Sequence, residues 1–229
     1  ANGASGTGAA IHVNDGVGIE VVRSKFEQNR INVQGGQDSR ANAIISVHTG
    51  GNSSWSEYPD ITIHQSLFSD NYMESEGATH ASIFDSGVPF SFHNNLVIEN
   101  YAQSALTMIF TNAHPDLAGT SGSSYILNNT FYANNGNSSF VDVAGDKENV
   151  NITNNIIWAN NKGQNESSDF YKGNNATVYI NNNIFESGAN GGTQVDNIND
   201  APKLRNPASG DYRLQGNSPA IDAGVDIGE

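Results

Sequence analysis

Two histidines recur at the same position of a repeated sequence pattern, and imidazole is the side chain whose charge changes most readily near neutral pH. His64 ends the segment Ile-Thr-Ile-His at 61–64, and His93 ends the similar segment Phe-Ser-Phe-His at 90–93. On adjacent strands the two residues would lie about 5 Å apart, close enough to share a proton or to bind a metal ion. Two solvated strand residues would give the same pattern, because no third ligand is evident in the sequence.

Acidic residues near these histidines suggest two further kinds of catalysis. Asp70, Asp85 and Glu99 fall in consecutive repeats, and glycoside hydrolysis requires two carboxyl groups about 5–9.5 Å apart. Asp85 also lies on a short strand that we expect near those of His12 and His48, where a carboxylate would orient an imidazole and raise its basicity. Acidic side chains at turns are also common for solvation alone. The catalytic candidates are therefore His64, His93, Asp85, Asp70 and Glu99.

Aromatic side chains and one histidine are candidates for ligand binding. Tyr and Trp rings combine an apolar face with a polar edge, and this combination suits sugar rings. Two or three such rings from different segments would have to converge to form a platform. Local packing of long loops would explain the same residues. The binding candidates are His48, Trp55, Tyr58, Tyr72 and Tyr101.

All of these residues belong to, or interrupt, a unit that recurs six times and is most regular at 150–160, Val-Asn-Ile-Thr-Asn-Asn-Ile-Ile-Trp-Ala-Asn. The eighth position of every copy is apolar, and successive copies lie 42, 29, 34, 26 and 28 residues apart. A period of about 20–50 residues indicates a solenoid, and its variation requires loops of different length on a constant scaffold. The copies cover 19–29, 61–71, 90–100, 124–134, 150–160 and 178–188.

One polar position of the unit predicts a structural role. Alternating apolar residues direct one face of each strand inward, yet the sixth residue is polar in every copy. Asn tolerates left-handed backbone conformations, and side-chain amides stacked about 4.8 Å apart can donate to and accept from one another. The sequence therefore predicts a ladder along the solenoid. Its members are Ser24, Ser66, Asn95, Asn129, Asn155 and Asn183.

The Phe-x-x-Asn ends of the units at 26–29 and 68–71 resemble repeats of the right-handed parallel β-helix superfamily, which includes pectate-lyase-like enzymes and bacterial repeat surface proteins. The tail, with Gly-Asp-Tyr-Arg-Leu at 210–214 and Ser-Pro-Ala-Ile-Asp-Ala-Gly at 218–224, is similar to the terminal segment of many exported bacterial β-helix proteins. The resemblance implies an all-β fold, a right-handed parallel β-helix of about six to seven coils with a C-terminal cap. We expect coils over residues 1–195 and a cap over 196–229 that covers exposed strand edges.

The composition limits the partners. With 24 acidic and 10 basic residues, the formal charge is −14, which disfavours nucleic acid and anionic membranes. Calcium, which takes carboxylate, amide and carbonyl oxygens, is a more suitable partner. The chain lacks Cys and has no apolar run of 18 residues, so we expect no disulfide and no membrane insertion.

Because the chain begins without Met or a signal sequence, as a mature product does, we expect an extracellular or cell-surface location. The N-terminal end shows no comparable cap, so we expect either that the sequence is a fragment of a longer β-helix or that this end allows self-association.

Two functional hypotheses follow. The first is a non-catalytic surface protein with a structural, adhesive or assembly role, in which loops of coils two to four bind a polysaccharide or cell-surface glycan. The second is a polysaccharide-active enzyme, a lyase, epimerase or hydrolase, that uses the same groove. For a polyuronate lyase the resemblance implies a basic proton abstractor and a cation, often calcium, but the basic residues Arg23, Lys25, Arg30 and Arg40 show no pair framed by carboxylates. The regular Asn-rich repeats favour the first hypothesis. Function concentrates on long loops, which are predicted at 33–42, 49–59, 73–80 and 112–123.

Overall fold

The described part of the chain consists almost entirely of parallel strands stacked side by side. The computed structural model describes residues 8–14, 17–33, 42–48, 59–75, 81–102, 106–111, 122–136, 141–143, 149–160, 169–172 and 176–228. Within these ranges the chain forms five sheets and one short 3-10 helix, Pro207–Ser209. This all-β arrangement of stacked parallel strands is consistent with a parallel β-solenoid.

The first and second sheets take one strand from each successive repeat, and all their described pairs are parallel. The first sheet contains, in spatial order, β1 Gly8–Asn14, β5 Asn42–His48, β9 Ala81–Ser86, β13 Leu106–Thr111, β16 Val141–Val143 and β19 Phe170–Lys172. The second sheet contains β2 Ile19–Val22, β6 Ile61–His64, β10 Ser91–His93, β14 Ser123–Leu127, β17 Asn149–Thr153, β20 Thr177–Asn181 and β22 Thr193–Val195.

The remaining strands form two more parallel sheets and one hairpin. The third sheet contains β3 Lys25–Glu27, β7 Leu67–Ser69, β11 Leu96–Ile98, β15 Thr130–Tyr132, β18 Ile156–Trp158 and β21 Ile184–Phe185. The fourth sheet contains β4 Arg30–Val33, β8 Tyr72–Ser75 and β12 Tyr101–Ala102. Near the C-terminus, β23 Leu204–Asn206 and β24 Asp211–Leu214 pair antiparallel and form the C-terminal hairpin.

The strand register agrees with the alignment of the sequence repeats. Val97 pairs with Phe68 on one side and with Phe131 on the other, and these residues occupy the eighth position of their units. Along each strand of the second sheet, inward residues alternate with outward ones, as period-two geometry requires. The inward residues Ile63 and Phe92 are fully buried.

Stacked phenylalanines form much of the core. Ring centroids lie 4.8 Å apart for Phe26 and Phe68, 5.9 Å for Phe68 and Phe92, and 6.3 Å for Phe92 and Phe131. Phe84, from the first sheet, meets Phe92 at 5.9 Å. Burying a large aromatic ring stabilises the fold by about 1.5–3 kcal/mol, so this column carries a large share of the cohesion between repeats.

The turn between the second and third sheets is made by one residue with positive φ in every repeat. We call these residues the corner row. The backbone conformation favours Asn, which explains why asparagine occupies four of the six positions. The corner row is Arg23, Gln65, Asn94, Asn128, Asn154 and Asn182, with φ between 48° and 60°.

The residue after each corner-row member turns inward and forms the ladder of amides and hydroxyls. Asn129 accepts from the backbone N–H of Asn95 and donates from its own Nδ2 to Asn155 Oδ1, each bond about 2.9–3.0 Å long. Asn183 continues the column to Asn197. Ser24 N–H donates to Ser66 Oγ at the first link. These bonds give partners to buried amide groups. Burying an amide without a hydrogen bond would cost free energy.

A second ladder, which the sequence reasoning missed, lies at the turn between the third and fourth sheets. Each side-chain Nδ2 donates to the Oδ1 of the next residue, at 2.8–3.0 Å. In the sequence, this ladder corresponds to the Asn that closes each Phe-x-x-Asn ending. By itself that ending indicates only a resemblance to β-helix repeats. Its members are Asn29, Asn71, Asn100, Asn134 and Asn160.

Candidate functional site

The histidines of the repeat stand side by side on the outer face of the second sheet. His64 and His93 are register partners, and their rings stack with centroids 4.8 Å apart and planes 8° from parallel. His64 Nε2 lies 3.0 Å from Glu20 Oε1, which comes from the preceding strand. Asn94 Nδ2 lies 3.1 Å from His93 Nδ1. A carboxylate therefore orients the His64 ring, and an amide orients the His93 ring.

Two of the three candidate carboxylates, Asp70 and Glu99, lie on adjacent repeats, whereas Asp85 lies on another sheet. Asp70 and Glu99 occupy equivalent positive-φ turns of successive repeats, directly after β7 and β11. Asp85 lies on the first sheet and is almost fully buried. Its register partner on β5 is Ser46, which also pairs with His12 and lies 3.3 Å from His12 Nδ1.

His48 does not join the column of His12 and Asp85. It pairs with Asn14, two residues beyond Ser46 along β5. The side chain of His48 lies outside the described part of the chain, as do Trp55 and Tyr58 entirely. The predicted binding role of these three residues stays a prediction, and so does that of the loops that contain them.

Tyr72 and Tyr101 stack on each other on the fourth sheet. Their centroids are 5.0 Å apart, and the Arg30 guanidinium lies 4.9 Å from the centroid of Tyr72. Because Arg30, Tyr72 and Tyr101 follow one another on adjacent strands, both faces of the Tyr72 ring are covered. Sugar rings bind tyrosine through its apolar face, so this pair offers only the outer face of Tyr101.

Two other tyrosines have better access to ligand. Tyr125 and Tyr179 point outward from the second sheet, each 42% exposed, and Asn151 lies between them in register. Two strand spacings of about 4.8 Å separate the two tyrosines, or about 10 Å. A sugar ring inserted between them would lie about 5 Å from each ring, within aromatic contact distance. The sequence carried this signal, since Tyr125 and Tyr179 align with Asn151 in the repeat.

A groove of about 960 Å³ runs beside this face, between the corner row and the C-terminal hairpin. We call it the corner groove. Its floor includes Gln65, Asn94 and Asn128 of the corner row, and its wall includes Ser209–Arg213 of the hairpin region. Among the described residues that line it, three are cationic and one is acidic. The cations are Arg23, Lys25 and Arg213, and the acid is Asp211.

Contacts within the corner groove partly neutralise its charges. Arg213 binds Asp211 through two hydrogen bonds of 2.8 and 2.7 Å, and these bonds lower the pKa of Asp211 to about 2. Arg23 Nε donates to Gln65 Oε1 at 3.2 Å, and Lys25 lies 3.8 Å from Glu27. Arg23 is therefore bound to a neutral amide and keeps its full positive charge toward the groove.

The C-terminal hairpin is attached to the side of the stacked repeats. Tyr212 donates its hydroxyl to Glu99 Oε1 at 3.3 Å and meets Tyr132 edge to face at 5.7 Å. Burial and then the Glu99 carboxylate raise the pKa of Tyr212 to about 12. Farther along, Asn154 and Asn182 hold the backbone of residues 223–225. The contacts of residues 204–225 described here are thus lateral, whereas Asn197 and Ile198 pair with the last repeat. The predicted capping role of residues 196–229 stays a prediction.

Comparison with protein-family models, curated proteins and solved structures finds no match for this chain. A groove formed by residues more than 180 positions apart left no local signal in the sequence. The sequence presents Arg23 and Lys25 as members of a basic group, Ser24, Ser66 and Asn95 as ladder residues, and 210–213 as part of a terminal segment, with nothing that joins them.

No three or more His, Asp or Glu residues in the described ranges are grouped so that they could hold a metal ion. Calcium also takes amide and carbonyl oxygens, so the predicted calcium partner stays a prediction. In the same ranges, no helix is long and apolar enough to cross a bilayer.

Proposed function

We propose that this protein is a right-handed parallel β-helix of about six to seven coils that acts at the cell surface or outside the cell as a non-catalytic, glycan-binding adhesive scaffold. The observation that carries the proposal is the exposed pair Tyr125 and Tyr179 with Asn151 between them. Two ring faces and one amide on a rigid sheet can hold a sugar ring and its hydroxyl groups without reorganising.

The rigidity of the scaffold supports a binding role. Strand pairing on both sides of β14, β17 and β20 fixes the backbone of this surface, and the two ladders tie the repeats together from within. Because the binding residues lie on strands rather than loops, little conformational entropy is lost when a ligand binds.

Calorimetric titration with a panel of neutral and acidic oligosaccharides tests this proposal. We expect Tyr125→Ala and Tyr179→Ala each to weaken binding about tenfold or more, because each removes one face of the clamp. Tyr101→Ala is the matched control, since Tyr101 has a similar exposure of 37% on a different sheet. Absence of binding to every oligosaccharide, or an equal loss in Tyr101→Ala, would contradict the proposal.

A polysaccharide-active enzyme is the second candidate, and the contact of Glu20 with His64 favours it. A carboxylate 3.0 Å from an imidazole can hold one tautomer and stabilise the protonated ring during general acid–base catalysis. The activity would produce new reducing ends or unsaturated products from a polysaccharide panel. His64→Asn should abolish these products while binding is retained, and a panel without any product would exclude this candidate.

A further inference from the structure

The corner row already binds a peptide main chain, namely that of the protein's own C-terminal segment. Asn154 Nδ2 donates to the carbonyl of Val225 at 2.9 Å, and the N–H of Val225 donates back to Asn154 Oδ1 at 3.0 Å. Asn182 Nδ2 donates to the carbonyl of Ala223 at 3.1 Å. The Asn154 amide thus satisfies both main-chain groups of one residue, as a neighbouring strand would.

The spacing of these contacts defines a pattern for the bound chain. One corner-row amide binds residue 223 and the next binds residue 225, so two peptide residues correspond to one repeat. Gly224 lies between them, and a Cβ atom there would come within 3.3 Å of Asn154 Oδ1. A small residue is therefore favoured at the position between two clamped residues.

The same row continues into the corner groove with similar chemistry. Asn128, Asn94 and Gln65 follow Asn154 toward the N-terminus, one strand spacing of about 4.8 Å apart, with the same positive φ. They line the groove together with Arg23, whose guanidinium donates a hydrogen bond to the neutral side chain of Gln65. Amides that bind main chain are thus combined with a local excess of positive charge on a protein whose formal charge is −14.

We infer that the corner groove binds an extended acidic peptide segment of a partner protein, with its main chain clamped by Asn128 as that of Val225 is clamped by Asn154. Acidic side chains of the peptide pair with Arg23 and Lys25, and small residues alternate with the clamped ones. The two-way hydrogen bond to one residue favours a peptide over a sugar chain, because a glycan has no N–H and C=O pair with main-chain spacing. This site is separate from the tyrosine clamp of the second sheet.

Fluorescence anisotropy with a labelled nonapeptide of the sequence of residues 220–228, Ala-Ile-Asp-Ala-Gly-Val-Asp-Ile-Gly, tests the inference on the intact protein. We expect saturable binding that weakens about tenfold in Asn128→Gly, since the two hydrogen bonds of the clamp are lost. Glycine keeps the positive φ and removes only the amide. Arg23→Gln should weaken binding and reduce its dependence on salt. Circular dichroism and thermal unfolding verify that each variant is folded.

Two controls separate this site from its alternatives. Asn154→Gly should leave peptide binding intact, because Asn154 is engaged by the protein's own tail. A peptide with Val in place of the central Gly should bind about tenfold more weakly. Loss of binding in Asn154→Gly but not in Asn128→Gly would mean that the peptide merely displaces the tail. Full displacement by a uronate oligosaccharide, with equal binding of the Val peptide, would assign the groove to acidic glycans. Either result, or no saturable binding by the wild type, overturns the inference.

Discussion

Removing one central amide from the second ladder should destabilise the protein far more than removing the terminal one. Asn100 is fully buried, and its side chain makes four hydrogen bonds. Two of them are accepted from the backbone N–H and the Nδ2 of Asn71, and two are donated to Phe68 O and Asn134 Oδ1. Asn29, at the first position, donates one side-chain bond, to Asn71 Oδ1.

The expected magnitudes follow from the groups left without partners. In Asn100→Ala, the buried N–H of Asn71 loses its acceptor, and one hydrogen of Asn71 Nδ2 and the carbonyl of Phe68 lose a bond. A buried polar group without a partner costs about 1–3 kcal/mol, so we expect a loss of about 2–5 kcal/mol. Asn29→Ala removes one partly exposed hydrogen bond and should cost about 0.5–1.5 kcal/mol. The total free energy of unfolding of a domain is about 5–15 kcal/mol.

Urea unfolding followed by circular dichroism measures both losses. In a repeat protein each unit contacts only its neighbours, so Asn100→Ala should also lower the m-value if the two halves of the stack unfold separately. The reasoning would be refuted if Asn100→Ala and Asn29→Ala cost the same free energy of unfolding. It would also be refuted by a cost below about 1 kcal/mol for Asn100→Ala, because the amides would then be satisfied by water or by rearrangement.

Two further predictions concern the core and the hairpin. Phe92→Ala removes a fully buried ring between Phe68 and Phe131. It should lower the free energy of unfolding by about 3–5 kcal/mol. If this loss is no greater than that of Phe26→Ala in the first unit, the rings do not form a shared aromatic column. Because the pKa of Tyr212 is raised from 10.0 to about 12 in the folded state, the stabilisation is complete below pH 10 and falls as the pH rises toward 12. The urea midpoint measured across this range should fall less in Tyr212→Phe, and identical profiles would show that Tyr212 does not anchor the hairpin.

The sequence predicted the parallel stacking because the fold repeats the same physical requirements in every unit. An apolar residue at the eighth position must be buried, a residue with positive φ must make the turn, and the next side chain must satisfy buried backbone groups. Phe68, Gln65 and Ser66 meet these requirements in one unit, and Phe131, Asn128 and Asn129 meet them in another. Periodicity makes such positions visible without any structure.

The candidate site was harder to predict because it depends on side-chain orientation and on distant segments. The repeat placed His64 beside His93, but it did not show that Tyr72 would have both ring faces covered by Arg30 and Tyr101. Nor did any local pattern connect Arg213 with Arg23 across the corner groove. Such contacts arise where the chain departs from its repeat, and periodicity carries no information there.

The uniform direction of the second ladder gives the scaffold an electrical polarity. In every link the amide N–H group belongs to the earlier repeat and the oxygen to the later one, from Asn29 through Asn160. The amide dipoles therefore add head to tail, as peptide dipoles do in an α-helix at about 3.5 D each, whereas those of sheet backbones largely cancel. The column ends in a negative pole at Asn29 and a positive pole at Asn160. Among the described residues, this column by itself makes the potential more negative toward Asn29 and more positive toward Asn160, so the two ends of the stack are electrically different.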